Sequence, residues 1–316
     1  MEVPELAVRD PLRPILDAQG VVILDGGLAT TLEAHGFGTA GALWSARALR
    51  DAPALLERVH HEFLEAGADC IATATYQATV PGLVRAGCSE REALALLAAA
   101  VEIARRARDA LADDRGGRRA RPLVAASIGP FGAYLADGSE YRGDYRVTRR
   151  ELVAFHRPRV RALAAAGPDL LAFETFPSAE EVGAVLALLD EQCTRGSDLG
   201  AWISLQARDP RALADGTALG DVVPALDRHP AVLAVGVNCV APDLVPGLLD
   251  TLRGLTAKPL AAYPNSGERW QGGRWTGEAT RWIDEAPAWV ELGARLVGGC
   301  CRTGPEEIRR LRATLL

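Results

Sequence analysis

Short apolar runs alternate with longer amphipathic segments along the chain. Runs such as Asp169–Phe173 and Ala201–Leu205 have the length and composition of buried strands. Segments such as Pro53–Ala66 instead place leucine, valine and phenylalanine at the spacing of one helix face. Eight strands are predicted in this way: Val21–Leu24, Cys70–Thr73, Pro122–Ser127, Asp169–Phe173, Ala201–Leu205, Val232–Val237, Pro259–Tyr263 and Ala294–Val297.

A helical segment follows each predicted strand. The predicted helices are Pro53–Ala66, Glu90–Leu111, Thr148–Ala165, Ser178–Gln192, Asp221–Asp227, Pro242–Arg253, Ala279–Leu292 and Pro305–Leu315. Thr148 and Glu151 have the spacing of a capping box, and Ile128–Tyr145 is predicted as a long loop. No linker or repeat interrupts the alternation, so residues 1–316 are predicted to form one (β/α)8 TIM barrel, of the α/β class. A doubly wound open sheet is the structural alternative.

Polar residues stand where the predicted strands end. In a (β/α)8 barrel the carboxyl ends of all strands face one mouth, and active sites are built there. The residues at these ends are Asp25, Thr73, Tyr76, Glu174, Asn238, Cys239, Cys300 and Cys301. We therefore expect them to form one site, although they are spread over most of the chain.

Three of these residues are cysteines in a setting that suits a metal ion. Cys300 and Cys301 follow Gly298 and Gly299 after the eighth strand, and Cys239 follows the sixth. Adjacent cysteines make a poor disulfide, because neighbouring Cα atoms are too constrained for disulfide geometry. Three thiolates from two strand ends are instead typical of a zinc site with its fourth position open. The sequence therefore predicts one Zn²⁺ ion at the barrel mouth.

Composition narrows the class of protein. Hydrophobic residues make up 48% and charged residues 24% of the 316 positions, an ordinary globular balance. The formal net charge of −6 argues against a nucleic-acid partner. The sequence contains no run of about 18 apolar residues, so no membrane span is predicted. The acidic start Met1–Glu5 does not resemble a signal peptide, and the six cysteines do not resemble a disulfide framework, so we expect a reducing cytoplasm.

The other cysteines and the histidines show no such pattern. Cys70, Cys88 and Cys193 are expected to be small hydrophobic residues of the interior. The five histidines lack the spacing of metal ligands and are expected at the surface or the rim: His35, His60, His61, His156 and His229.

Several segments together resemble the homocysteine S-methyltransferase family. They are Asp25–Gly27, Thr75–Thr79, Glu174–Pro177, Gly236–Cys239 and Gly298–Thr303, and the likeness extends over nearly the whole chain. Two further segments, Tyr134–Tyr145 and Tyr263–Glu268, resemble the bacterial and plant branch that uses S-methylmethionine. The resemblance implies a zinc-dependent enzyme that transfers a methyl group from a sulfonium donor, S-methylmethionine or S-adenosylmethionine, to the thiol of L-homocysteine and so forms methionine.

The resemblance also implies contacts to homocysteine. Asp25 and Glu174 are expected to hold its amino group, and two carboxylates at one mouth suit an ammonium. Backbone N–H groups near Gly26 and Gly27, together with Thr73, would suit the substrate carboxylate.

Further roles at the mouth are expected for an amide and for aromatic rings. Asn238 would support the neighbouring metal ligand, or occupy the fourth zinc position when the substrate is absent. The sulfonium is expected against aromatic rings, since cations favour ring faces. The candidate rings are Trp44, Tyr76, Phe131 and Tyr134.

Alternatives remain open at the level of sequence. The same fold could use betaine or another methyl donor, because the residues alone do not rank the donors. The barrel could also be a non-catalytic thiol- or zinc-binding protein, which predicts a closed site with four ligands. Cys88, after the second strand, would be the spare thiol for such a site. The sequence carries no signal for an oligomeric state.

Overall fold

Eight parallel strands form a barrel in the computed structural model, which describes residues 8–39, 41, 43–111, 119–271 and 274–316. The strands are β1 (Val22–Ile23), β2 (Cys70–Ala72), β3 (Leu123–Ile128), β4 (Leu170–Phe176), β5 (Ala201–Leu205), β6 (Val232–Asn238), β7 (Leu260–Tyr263) and β8 (Ala294–Val297). Their order in the sheet is β1-β8-β7-β6-β5-β4-β3-β2. A parallel bridge between Leu24 and Cys70 joins β1 to β2. The predicted (β/α)8 barrel is therefore confirmed.

Helices surround the barrel. The α-helices are α1 (Arg13–Gln19), α2 (Leu28–Ala34), α3 (Ala48–Asp51), α4 (Pro53–Ala66), α5 (Val80–Arg85), α6 (Glu90–Asp109), α7 (Phe131–Leu135), α8 (Arg149–Ala165), α9 (Ala179–Thr194), α10 (Leu219–Arg228), α11 (Val245–Arg253), α12 (Ala286–Glu291) and α13 (Pro305–Leu315). Short 3-10 helices lie at Trp44–Arg47, Ser139–Tyr141, Pro242–Leu244 and Trp282–Glu285. Two hairpins pair Ala207–Asp209 with Ala212–Leu213 and Arg269–Gln271 with Arg274–Thr276. Within the described ranges, no helix has both the length and the apolar character that a membrane crossing requires.

The strands are buried on both faces, which is why they appear in the sequence as continuous apolar runs. Every residue of β3, β4 and β5 is buried. Residues such as Ile203 pack under the helices in the larger hydrophobic core. The alternate residues form a second core inside the barrel, where Trp202 packs with small residues such as Ala172 and Ala234. The Trp202 indole donates a hydrogen bond to the Tyr263 hydroxyl at 3.0 Å, so this large side chain fills the barrel without an unpaired donor.

Asp69 holds the junction of β1 and β2 at the amino-terminal end of the barrel. Its carboxylate accepts hydrogen bonds from the Ile23 N–H at 3.0 Å and from the Gln19 side chain at 2.6 Å. Arg119 and Arg312 form ion pairs with the same carboxylate at 2.7 Å and 3.1 Å. Because Arg312 belongs to α13, the last helix is bonded directly to the place where the ring closes.

Most predicted elements are confirmed, with small shifts at their ends. The capping box of α8 is present, because the Thr148 N–H donates to the Glu151 carboxylate and the Glu151 N–H donates to the Thr148 hydroxyl. The helix predicted over Ala279–Leu292 is shorter, since Pro287 favours the first turn of a helix and α12 begins at Ala286. The predicted loop Ile128–Tyr145 contains α7 and a 3-10 turn. Four short helices, α1, α2, α3 and α5, were not predicted.

Candidate active site

Three cysteine side chains meet at the mouth of the barrel. Cys239 follows the end of β6, and Cys300 and Cys301 lie in the loop between β8 and α13. Their sulfur atoms lie within 4.8 Å of one another, and the sulfurs of Cys239 and Cys301 are 3.5 Å apart. The three thiols are close enough to bind one metal ion.

The three thiols cannot all ionise without a cation. Hydrogen bonds from Cys300 and Cys301 lower the pKa of Cys239 well below its ordinary value. The bond to Cys239 in turn raises the pKa of both other thiols well above the ordinary value. One sulfur therefore ionises readily, whereas the second and third charges need compensation. A dipositive ion that favours thiolates, such as Zn²⁺, fits this donor set.

Close backbone contacts fix the loop that carries two of the thiols. A Cβ atom at Gly299 would lie 2.2 Å from the Thr303 hydroxyl, and one at Gly27 would lie 2.6 Å from the Cys300 carbonyl oxygen. Both contacts require glycine. The Gly27 N–H donates to the Thr303 carbonyl oxygen at 2.8 Å, so this N–H is engaged within the protein and is not free for a substrate carboxylate.

Three non-glycine residues beside the site have left-handed backbone conformations. The φ angle is 65° at Thr175, 52° at Cys239 and 64° at Arg302. Each such residue costs about 1–3 kcal/mol and persists where the surrounding structure enforces it, often at a functional site. Thr175 follows Glu174 and Arg302 follows Cys301, so the strained positions mark the same strand ends as the polar side chains.

Asp25 and Glu174 place two buried carboxylates at the mouth, with exposed fractions of 7% and 9%. Asp25 accepts the Ala72 N–H at 2.8 Å, and Glu174 accepts the Ser127 hydroxyl. Burial raises the pKa of Asp25 well above its ordinary range, and the Glu174 charge raises it further. Burial also raises the pKa of Glu174 to about 7. A cation would offset both effects, so this corner favours an ammonium group.

The side chain of Asn238 is bonded at both ends of its amide. Its oxygen accepts the Thr175 N–H at 2.7 Å, and its nitrogen donates to the Thr175 hydroxyl at 2.8 Å. The same nitrogen lies 3.9 Å from the Cys300 sulfur. This geometry suits a supporting role beside the thiols, because both ends of the amide are bonded to Thr175.

Thr73 and Tyr76 lie on the segment that follows β2. The Thr73 hydroxyl is bonded to the Thr75 hydroxyl at 2.6 Å and accepts the Ser127 N–H at 3.1 Å. The Tyr76 ring is half-buried, and the Tyr76 carbonyl oxygen accepts a bond from the buried Arg159 at 3.4 Å. The Thr73 hydroxyl and the Tyr76 backbone are therefore held by neighbouring parts of the protein.

A cavity of about 740 Å³ opens at the mouth, and every predicted site residue is part of its wall. These residues are Asp25, Gly26, Gly27, Thr73, Tyr76, Glu174, Asn238, Cys239, Cys300 and Cys301. The volume is several times that of one amino acid, so two ligands of that size can lie side by side.

Sequence reasoning missed another part of the cavity wall. The additional residues include Glu140, Tyr141, Glu268, Trp275 and Arg302. Most of them belong to Tyr134–Tyr145 or border Tyr263–Glu268, the two segments that distinguish the branch of the family. Those segments were the signal that could have identified the missing wall.

The aromatic candidates divide into two groups. Trp44 and Tyr76 line the cavity. Phe131 and Tyr134 instead pack against Phe155, whose ring centroid lies 4.8 Å and 5.2 Å from theirs. The second pair therefore belongs to a packing cluster outside the wall described above, and its predicted contact with the donor is not supported.

The closed four-thiol alternative lacks a fourth sulfur in the part of the chain that the structure describes. The cluster consists of Cys239, Cys300 and Cys301, and Cys88 is not a member. Cys88 is half-buried and packs against the hydrophobic core. An open coordination position is thus the better description of this site.

Comparison with known proteins agrees with this geometry. Residues 22–315 match the family described as homocysteine S-methyltransferase. The homocysteine S-methyltransferase of Escherichia coli (strain K12) is 46% identical over 98% of this chain and 99% of its own length. Homocysteine S-methyltransferase YbgG of Bacillus subtilis (strain 168) is 44% identical over 96% of this chain and 97% of its own. The crystal structure of the metallated form of the homocysteine methyltransferase MmuM from Escherichia coli superposes with a TM-score of 0.88 at 46% identity, covering 96% of this chain and 99% of that one.

Proposed function

The chain belongs to the homocysteine S-methyltransferase family, and from this membership we propose that it forms methionine by transferring a methyl group from a sulfonium donor to L-homocysteine. One observation carries the proposal: three thiols suited to Zn²⁺ and two buried carboxylates suited to an ammonium share the wall of one cavity. An amino acid with a thiol side chain satisfies both groups at once.

Cys239, Cys300 and Cys301 would hold the metal ion, and we propose Zn²⁺ because thiolate sites with an open position favour it. When bound there, Zn²⁺ would favour the deprotonated form of the substrate thiol, whereas a free thiol with a pKa of about 8.5 is mostly protonated at neutral pH. The three cysteine thiolates keep the site negative, so the substrate sulfur remains electron-rich. No side chain has to remove a proton during the transfer itself.

The remaining wall residues orient homocysteine. Asp25 and Glu174 bind its ammonium group, which offsets the cost of burying their own charges. Thr73 and the backbone at Gly26 face the substrate carboxylate, and Tyr76 closes the cavity beside it.

Two further residues, Gly27 and Asn238, position the segments that carry the site residues. Gly27 acts through its close contact with the loop of Cys300, since its own N–H is already bonded to Thr303. Asn238 holds the strand ends that carry Glu174 and Cys239 at a fixed separation, through its two bonds to Thr175.

The donor we propose is S-methylmethionine. Its S⁺–CH₃ bond breaks as the new bond to the homocysteine sulfur forms, and the electron pair stays on the donor sulfur. The donor leaves as a neutral thioether, so each turnover yields two molecules of methionine. The support is that Glu140 and Tyr141, on a segment resembling the S-methylmethionine branch, belong to the cavity wall.

The test is product formation by the zinc-loaded protein. With homocysteine and S-methylmethionine we expect methionine to form, and to stop forming when the metal is removed. S-adenosylmethionine and betaine in parallel reactions rank the donors. Absence of methionine with fully metallated protein and all three donors would contradict the proposal.

We also propose that residues 1–316 act as one domain in the cytoplasm. Three free thiols in contact persist best where the surroundings are reducing. The expected partners are small molecules, since the net charge of −6 disfavours nucleic acid.

A further inference from the structure

Glu140 is a buried carboxylate in the cavity wall, and one of its oxygens has no hydrogen-bond partner among the described residues. It lies on the 3-10 turn Ser139–Tyr141 and is 8% exposed. Its Oε2 atom is buried and accepts no hydrogen bond from any described residue. Burying a carboxylate without a partner is costly, so such a group favours a proton or a cation beside it.

Two other glutamates of the cavity wall already have partners. Glu268 forms an ion pair with Arg302 at 3.1 Å and accepts the Ser266 hydroxyl at 2.9 Å. Glu33 accepts the Thr39 hydroxyl. Glu140 therefore differs from its acidic neighbours in having its charge available for a ligand.

Glu140 shares the cavity wall with Cys239 but lies on a different segment from the two carboxylates proposed to bind the ammonium. After burial, the largest influence that raises its pKa, to about 7, is the charge of Cys239. The next residue, Tyr141, makes a hydrogen bond that lowers the pKa of Cys239. The Cys239 charge also raises the pKa of Glu174, and the Glu174 charge raises that of Asp25. What distinguishes Glu140 is its buried oxygen without a hydrogen bond, whereas Asp25 accepts the Ala72 N–H and Glu174 accepts the Ser127 hydroxyl.

We infer that Glu140 supplies the counter-charge for the sulfonium of the methyl donor. This inference rests on the proposed function. For a methyl group to pass between two sulfur atoms, the donor sulfonium must lie next to the substrate sulfur, and hence next to the thiols. A carboxylate near Cys239 meets that sulfonium, whereas the ammonium of the donor lies several bonds away.

The charge of Glu140 acts on donor affinity more than on the transfer step. The donor is cationic before transfer and a neutral thioether at the sulfur afterwards. A carboxylate at this place therefore attracts the sulfonium of the donor before transfer. Once the donor sulfur is neutral this attraction is gone, which favours release of the product. Removing the charge should raise the KM of the donor without lowering kcat, because the interaction is stronger in the ground state than in the transition state.

The test compares Glu140→Gln with Asp144→Asn in zinc-loaded protein. Asp144 is an exposed carboxylate on the same segment, paired with Arg142, so this control matches the change in charge. Calorimetry measures the binding of S-methylmethionine and of its neutral isostere, in which C–H replaces S⁺. We expect Glu140→Gln to weaken sulfonium binding by about 10-fold to 100-fold and to leave isostere binding unchanged. Asp144→Asn should change neither affinity. Glu140→Asp should recover part of the loss.

Three outcomes would overturn the inference. One is unchanged sulfonium binding in Glu140→Gln. Another is an equal loss for the sulfonium and the isostere, which would place Glu140 at the donor ammonium. The third is a parallel loss of homocysteine affinity, which would make Glu140 a support of the whole cavity. Because binding is measured without turnover, these outcomes are separate from a failure of the proposed function, which would show as absence of methionine formation by the wild type.

Discussion

The N–H of Gly299 donates a hydrogen bond to the carbonyl oxygen of Asp25 at 3.1 Å. This bond connects the loop that carries two of the thiols to the loop that carries one of the two buried carboxylates. The places proposed for the sulfur and for the ammonium of homocysteine are thereby fixed relative to each other. The bond involves only the backbone of Asp25, so its side chain can be changed without cutting the connection.

Asp25→Asn should therefore separate substrate binding from metal binding. Asparagine keeps an oxygen for the Ala72 N–H but removes the charge that faces the ammonium, so homocysteine should bind about 10-fold to 100-fold more weakly. Metal content should stay as in the wild type. The measurements are the KM for homocysteine and zinc by elemental analysis, with exposed Asp17→Asn as the control. Loss of zinc from Asp25→Asn would contradict this division of roles.

Asn238→Ala should lower the zinc affinity of the site without removing a proposed metal ligand. The change leaves the buried Thr175 N–H without its acceptor and frees the strand ends on either side. We expect about 1–3 kcal/mol lower free energy of unfolding. Zinc affinity should fall by about 10-fold to 100-fold, as for other residues that orient metal ligands. Competition with a chelator measures the affinity, and an unchanged value would show that the Thr175–Asn238 pair does not position the thiols.

Single substitutions of the three clustered thiols should each abolish stoichiometric zinc binding. Cys239→Ser, Cys300→Ser and Cys301→Ser leave two sulfurs, which hold Zn²⁺ far less tightly than three. Methionine formation should fall below detection in each variant. Cys193→Ser, at a half-buried position on α9, is the matched control and should retain both metal and activity. Full zinc occupancy in any of the first three variants would remove that residue from the ligand set.

The buried His60 should make stability depend on pH. Burial lowers its pKa from 6.5 to about 4, and neither ring nitrogen has a hydrogen-bond partner among the described residues. Between these two values the unfolded chain binds a proton that the folded protein does not, so the free energy of unfolding falls as the pH falls from about 6.5 towards 4. The contribution of His60 to that loss is at most about 3 kcal/mol.

His60→Leu isolates this effect from the other titrating groups. The difference in unfolding free energy between variant and wild type, measured by denaturant titration, should shift in favour of the variant as the pH is lowered. A difference that stays constant between about pH 4.5 and pH 7 would show that His60 binds protons equally in the folded and unfolded chains, so that burial does not lower its pKa.

The barrel could be predicted because its strands are buried on both faces. Ala201–Leu205 and Ala294–Val297 are apolar apart from Ser204 and Arg295, and their predicted bounds agree with the structure. The polar strand ends could be placed at one site because a closed parallel sheet brings all its carboxyl ends to one mouth.

Residues whose environment depends on distant contacts were harder to predict. His60 and His156 were expected at the surface or rim, and this was wrong because both are fully buried. His60 lies between Leu56 and Phe63 on the buried face of α4, so helical spacing could have indicated its burial. Glu140 had no comparable signal, because a glutamate in a polar segment has the pattern of a solvated residue.

The contact between Asp69 and Arg312 bears on the order in which the barrel and the thiol cluster can form during synthesis on the ribosome. The ring is sealed only after Arg312 has emerged from the exit tunnel, and Cys300 and Cys301 emerge shortly before it. Cys239 precedes Cys300 by 61 positions, so during that stretch of synthesis it is without the other two thiols of the cluster. The three-thiol site can therefore form only after the loop between β8 and α13 has left the tunnel.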